Sequence, residues 1–185
     1  MKRLPANFII GAVLVALVVG VAALSLIWTP HDPTDLNIRG KFGPPTTVNW
    51  LGTDQLGRDI ISQLMAAARN SMTVALVAVL LGGSIGVALG LLASAIGGWV
   101  EDIVMRLADL GFAFPALLFA IMLAAVFGPS LTNAVLAIAF INIPIFARVA
   151  RASANQVWTR EYVLATRAAR MNKLVITRDH ILPNI

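Results

Sequence analysis

Residues 160–183, REYVLATRAARMNKLVITRDHILP, are the one long charged segment that follows a largely apolar tract. Placed on a helix at about 100° per residue, Arg160, Arg167 and Arg170 fall within an arc of roughly 80°, while Tyr162, Ala165 and Ala169 gather on another side. The chemistry open to such a surface is recognition. Guanidinium groups pair with carboxylates in a fixed, forked geometry, and a face of small side chains lets a partner surface approach closely. The same residues satisfy a plainer reading, a positively charged cytoplasmic flank that only orients the chain in a bilayer. Residue types alone leave both open.

Other chemistry is poorly supported. The 185 residues include no cysteine, which removes disulfides, thiolate metal sites and cysteine nucleophiles. His31 and His180 have no companion at ligand spacing, so no metal site is expected. Neither a G-x-x-x-x-G-K-[ST] phosphate loop nor H-E-x-x-H or G-x-S-x-G occurs, and no cofactor is expected. The chain therefore reads as no enzyme, and energy from a nucleotide would have to arrive from another polypeptide. An ion-driven carrier would place ionisable groups inside its spans, and none lies there. The net charge of +5 does not indicate nucleic acid, because 7 of the 14 basic residues lie after Phe146, beside apolar spans.

The elements that must deliver the charged stretch are membrane spans. Hydrophobic residues make up 58% of the chain and charged residues 12%, about half the charge of a soluble domain. Residues 8–28 are uncharged and long enough to cross the roughly 30 Å hydrocarbon core, with Trp28 as an interfacial aromatic. Residues 29–70 turn rich in Pro, Gly, Asp and Thr. Their second half spaces Leu56, Ile60, Ile61, Leu64, Met65 and Ala68 as an amphipathic helix lying at the interface, capped by Thr53 or Asp54 and supported by an Asp54–Arg58 pair. Residues 71–98 form a second span, on which Gly82, Gly86, Gly90, Ser94 and Gly98 recur every four residues as one stripe for close helix packing.

Residues 99–109 read as a short polar connection and charged helix start that pairs its own charges at the bilayer surface, Asp102 with Arg106 and Arg106 with Asp109 as helical neighbours. Spans at 110–127 and 131–147 follow, joined by a turn through Gly128, Pro129 and Ser130. Phe114, Pro115 and Asn142 are the candidates for a translocation path, since a polar Asn142 belongs against protein or water. With the N-terminus inside, Lys and Arg number ten inside and four in the first loop, which predicts N-in and C-in. The expected organisation is a cytoplasmic tip and first span at 1–28, an outer loop with its interfacial helix at 29–70, and a membrane core at 71–185 containing a cytoplasmic segment at 155–185.

Four stretches carry a family resemblance: LGTDQLGRD at 51–59, GGWVEDIVMRLADLGFAFP at 97–115, FGPSLTN at 127–133 and EYVLATRAARMNKLVITRDHILPN at 161–184. In this order and spacing they resemble the inner-membrane permease subunits of ATP-binding-cassette importers for peptides and nickel, in particular the second of the two permeases in such systems. The resemblance implies an all-α polytopic membrane bundle in which a cytoplasmic loop after the fourth helix docks on an ATPase subunit. It implies partners too: a second permease subunit, cytoplasmic ATP-binding subunits, a periplasmic solute-binding protein and the lipid bilayer, with no nucleic acid.

The coupling residues carried over from the resemblance are Glu161, Ala165, Thr166, Arg167, Ala168, Arg170 and Pro183. The family pattern there is Glu-Ala-Ala, then Gly, then a closing Pro. Here Leu164, Ala165 and Thr166 stand for the first three, Arg170 for the glycine and Pro183 for the proline. Leu164 removes an acid, and Arg170 stands where glycine would permit φ > 0, so the turn is expected to shift toward Asn172. The resemblance also implies six spans where four are found, with truncation as the expected reason. Two functions stand beside each other: a permease subunit passing a peptide or similar small solute, and a truncated assembly module that transports nothing.

Overall fold

A computed structural model describes residues 5–185; Lys2 and Arg3, which contribute to the N-in count, lie outside them. No strand forms among the described residues, and seven α-helices follow in order. They are α1 (Ala6–Leu24), α2 (Ile60–Ile96), α3 (Gly98–Ala113), α4 (Ala116–Phe127), α5 (Leu131–Trp158), α6 (Glu161–Ala168) and α7 (Lys173–Ile176). α1, α2 and α5 are each long and apolar enough to cross a membrane, and the bent pair α3–α4 makes a fourth candidate. The all-α polytopic expectation is therefore met. Contacts divide the chain into two compact units, one ending at Thr73 and the other comprising Val74–Ile185.

In the first unit α1 exposes nearly all its apolar side chains and buries only Ala22, as suits a helix solvated by hydrocarbon. At its end Arg69 Nη1 donates to the Ser25 carbonyl at 3.2 Å. The outer loop is folded by its own hydrogen bonds. Residues 54–58 close a turn, with the Asp54 carboxylate accepting from Leu56 N (2.8 Å), Arg58 N (2.9 Å) and Arg58 Nε (2.8 Å).

That turn corrects the expected interfacial helix. Asp54 and Arg58 do pair, at 2.7 Å, but they stabilise a loop rather than a helical first turn. The helix begins only at Ile60, and its cap is Asp59, whose Oδ2 accepts from Ser62 N at 2.9 Å and Ser62 Oγ at 2.7 Å. Asn49 Nδ2 donates to the same carboxylate at 3.1 Å, and His31 N donates to Ser62 Oγ at 2.9 Å. Asp59 is only 4% exposed. Desolvation opposes its charge, but the Ser62 amide and hydroxyl, Asn49 and His31 together hold its pKa below the ordinary aspartate value.

Once started, α2 does not stop at the expected boundary near residue 70. It runs 37 residues, about 55 Å at 1.5 Å per residue, so the amphipathic stretch and the second span are one helix. Nothing between Ile60 and Ile96 breaks it, because Gly82, Gly86 and Gly90 sit on one packed stripe, Gly83 meets the Phe146 ring, and no proline intervenes.

In the second unit α2 ends at the consecutive positive-φ glycines Gly97 (+72°) and Gly98 (+57°), which break the helix and lead directly into α3. Residues 99–109 are thus helical, as a charged helix start implies, but they form the body of α3 and not a short connection. Their acids pair with α5: Asp109 with Arg148 at 2.5 Å, and Glu101 with Arg151. No Asp102–Arg106 or Arg106–Asp109 bridge forms among the described residues.

The expected span at 110–127 is also revised. Phe114, held extended by the following proline (φ −86°, ψ 119°), ends α3, and α4 restarts after Pro115 with a 78° bend. With 12 residues, about 18 Å, α4 cannot cross a bilayer alone. The turn into α5 matches expectation: Gly128 has φ +84°, Ser130 Oγ accepts from Asn133 N at 3.1 Å, and Asn133 Nδ2 donates to the Gly128 carbonyl at 2.7 Å. α5 tolerates Pro144 in its interior and continues past Ala147 to Trp158.

Candidate functional site

α6 carries most of the residues expected to face an ATPase. Glu161 in its first turn and Arg167 in its last complement the helix dipole. Val163, with no exposed surface, ties it down by entering a cluster of Leu91 from α2, Ala154 and Val157 from α5, and Ile176 and Ile181 from the following segment. On its outer side Ala165 and Ala168 are exposed, as are the capping residue Ala169 and the neighbouring Tyr162 and Leu164. Thr166 is half-buried and returns its hydroxyl to the Val163 carbonyl at 2.7 Å. The arginines do not form the single cationic face that one continuous helix would give. α6 has only eight residues, Arg160 precedes it as the N-cap, Arg170 follows its C-cap, and Arg167 lies 5.9 Å from the centre of the Trp158 ring.

Arg170 does what its residue type argued against. It takes φ +57°, with Arg170 N bonded to the Arg167 carbonyl (3.0 Å) and Met171 N to the Thr166 carbonyl (3.2 Å). This pair of bonds is a Schellman closure with arginine where glycine is usual. The turn therefore has not moved to Asn172, which instead caps α7 by accepting from Leu174 N at 2.9 Å. After α7 a π-helical turn (Thr177–Ile181) and a 3-10 turn (Leu182–Asn184) follow, and Pro183 is exposed in the latter.

The glycine stripe faces α5. A Cβ on Gly82 would come within 2.6 Å of the Ala139 carbonyl and of Asn142 Cβ, and one on Gly86 within 2.5 Å of the Ile143 carbonyl. Gly90 abuts the Ala147 carbonyl, and Ser94 Oγ hydrogen-bonds Asn155 Oδ1 at 2.5 Å. Gly98 leaves the stripe: it is exposed, has no neighbour for a Cβ within 4 Å, and serves the turn into α3. Around this seam the buried residues are mostly alanines, including Ala93, Ala137, Ala139, Ala147 and Ala150, so the helices are held by backbone proximity.

The three path candidates separate. Phe114 borders an apolar cavity of about 340 Å³ with Leu89, Leu107, Phe140 and Pro144, whereas Pro115 and Asn142 do not line it. Asn142 lies in the α2–α5 seam against Gly82. Residue spacing does not reveal the Arg148–Asp109 and Arg151–Glu101 pairs, because each acid has a nearer basic neighbour in sequence. The available signal was the pair of arginines three apart, directly after the last apolar stretch of α5.

Residues 85–185 match the family described as binding-protein-dependent transport system inner membrane component. The chain is 36% identical over 173 residues to a probable D,D-dipeptide transport system permease protein of Escherichia coli (strain K12), covering 91% of this chain and 58% of that one. It is 35% identical over 176 residues to a dipeptide transport system permease protein of Alkalihalophilus pseudofirmus, covering 95% and 58%. To a nickel transport system permease protein of Escherichia coli (strain K12) it is 36% identical over 169 residues, covering 91% and 61%. The chain thus spans about three fifths of the length of these relatives. The matched region takes in the last third of α2, the α2–α5 seam from Gly86 onward and every later helix including α6, and by it the chain belongs to the family of binding-protein-dependent transport system inner membrane components.

Proposed function

We propose that this chain is a permease subunit of an ATP-binding-cassette importer, forming part of the path for a peptide or related small solute in a bacterial inner membrane. The observation that carries this reading is α6, pinned from beneath by Val163 and presenting Ala165, Ala168 and Ala169 outward. A short helix with a flat, small face lets an ATPase surface approach its backbone, and Glu161, Arg167 and Arg170 supply charge at its margins. Thr166 and Pro183 complete the coupling segment, and ATP is hydrolysed on the partner subunits. A second permease subunit and a periplasmic solute-binding protein complete the assembly, with the N-terminus of this chain in the cytoplasm. The solute class follows from the relatives, whose names specify dipeptides and nickel.

The seam bears on the alternative of a non-transporting assembly module. That reading would use the glycine stripe to join another chain, yet Gly82, Gly86 and Gly90 are covered by α5 of this one. Cross-linking decides the main reading. Cysteine at Ala165 or Arg167 in the assembled complex should couple to an ATPase subunit through a short thiol-reactive reagent. Absence of any such product, with the complex intact, overturns it.

A further inference from the structure

We propose that Glu101 and Asp109 of α3, with Arg151 and Arg148 of α5, form a strut that carries movement of the α5–α6 body into the bent α3–α4 pair. The proposal rests on the permease reading above. α6 cannot move alone, because Val163 shares a buried cluster with Ala154 and Val157 of α5 and Leu91 of α2. Displacement of α6 is therefore delivered to α5 and, through Leu91, to α2.

Charge joins α5 to α3 alongside apolar packing. Ala108 is the one buried residue of α3, and Val104, Leu107 and Gly111 adjoin Phe140, Ile143 and Pro144 of α5; of the two ion pairs, Arg148–Asp109 is the exposed one. Arg151 meets Glu101, and Arg148 meets Asp109 at 2.5 Å while its guanidinium lies 4.5 Å over the Phe112 ring. The Arg151–Glu101 pair is 35% and 22% exposed, sheltered enough to escape full screening by salt. Arg148, Arg151 and Asn155 lie three and four residues apart on one side of α5, and Asn155 extends the row to Ser94 of α2.

The pairs also stand in the right place. They hold α3 between its start at Gly98 and the 78° bend before α4, and near that bend Gly111 leaves room for the Pro144 ring of α5, with Cγ 3.2 Å from where a Cβ would be. Two ion pairs on one rigid helix fix its position along α5 as well as its distance, which is what transmission of a displacement requires.

Because the chain has no cysteine, spin labels can be introduced cleanly. One pair, Ile103→Cys with Ala152→Cys, reports α3 against α5; another, Leu92→Cys with Leu118→Cys, reports α2 against α4, and all four positions are exposed. In the assembled transporter in lipid, trapping with ATP and vanadate should leave both distances unchanged within about 1 Å, because the glycine seam carries α2 with α5 and the strut carries α3 and α4 with them. In Glu101→Ala with Asp109→Ala, both distances should change by about 2 Å or more on trapping, as α2 and α5 move and the α3–α4 pair lags. The exchange Glu101→Arg with Arg151→Glu should return both to the native behaviour, which a loss of folding would not allow. The strut is overturned if the double alanine variant, still cross-linking from Ala165→Cys to an ATPase subunit, leaves both distances unchanged on trapping, or if either distance changes with the ion pairs intact. Loss of that cross-link in the native background overturns the permease reading instead.

Discussion

At the scale of single residues, backbone conformation overrode residue preference in one place and enforced it in another. Arg170 occupies left-handed space at φ +57° because the Schellman bonds from Arg170 N and Met171 N close α6 there. An L side chain pays roughly 1 kcal/mol for that conformation. Arg170→Gly should therefore raise stability by about 0.5–1 kcal/mol, read as a higher thermal midpoint in detergent; a lower midpoint would contradict the strain. Gly86 is the opposite case, since its neighbour is a carbonyl of α5 that cannot swing aside. Gly86→Leu should push α2 and α5 apart at a cost of about 1–3 kcal/mol. Gly20→Ala in α1, with nothing within 4 Å, should stay near neutral in the same melts, and equal effects would show that the seam is not the cause. The four-residue repeat of small side chains was visible in the sequence. That Gly98 serves a turn instead was not, because the repeat cannot show where the helix ends.

At the scale of elements, α2 and the loop before it depend on Asp59. Its carboxylate caps the helix and gathers Ser62 and Asn49, with His31 Nδ1 at 3.8 Å. Asp59→Ala should cost about 1–2 kcal/mol at neutral pH, as lost caps do. The acid dependence has a definite sign. Because folding lowers the pKa of Asp59, its contribution is complete above the ordinary aspartate value of about 3.9 and drains away only as pH falls through the lowered value. Thermal melts from neutral pH down to about pH 3 should show that decline in the native chain and a flatter profile in Asp59→Asn; parallel profiles would remove Asp59 as its source. The sequence pointed to Thr53 or Asp54 as the cap because hydrophobic spacing begins at Leu56. Spacing cannot register that the Asp54 carboxylate is already committed to the amides of Leu56 and Arg58. The bend before α4 has a similar lesson: Pro115 is plain in the sequence, but only the extended backbone at Phe114 makes it a break rather than a kink.

At the scale of the whole molecule, the charge bias predicts which side each end occupies. An impermeant thiol reagent applied from outside should label Asp35→Cys in intact cells, and Arg178→Cys only after permeabilisation, both positions being exposed. Labelling in the reverse pattern would invert the orientation. Apolar run lengths, the low charge fraction and the ordered motifs were enough by themselves to determine an all-α membrane chain and its family resemblance. These properties are written locally, in side chains that either tolerate hydrocarbon or do not. Tertiary structure alone decided that Glu101 and Asp109 reach across to α5, that the glycine stripe is consumed within the chain, and that α6 is fixed through Val163. Each of those is a choice among partners distant in sequence, and an acid with both a near and a far arginine available pairs according to which backbone brings its charge closer.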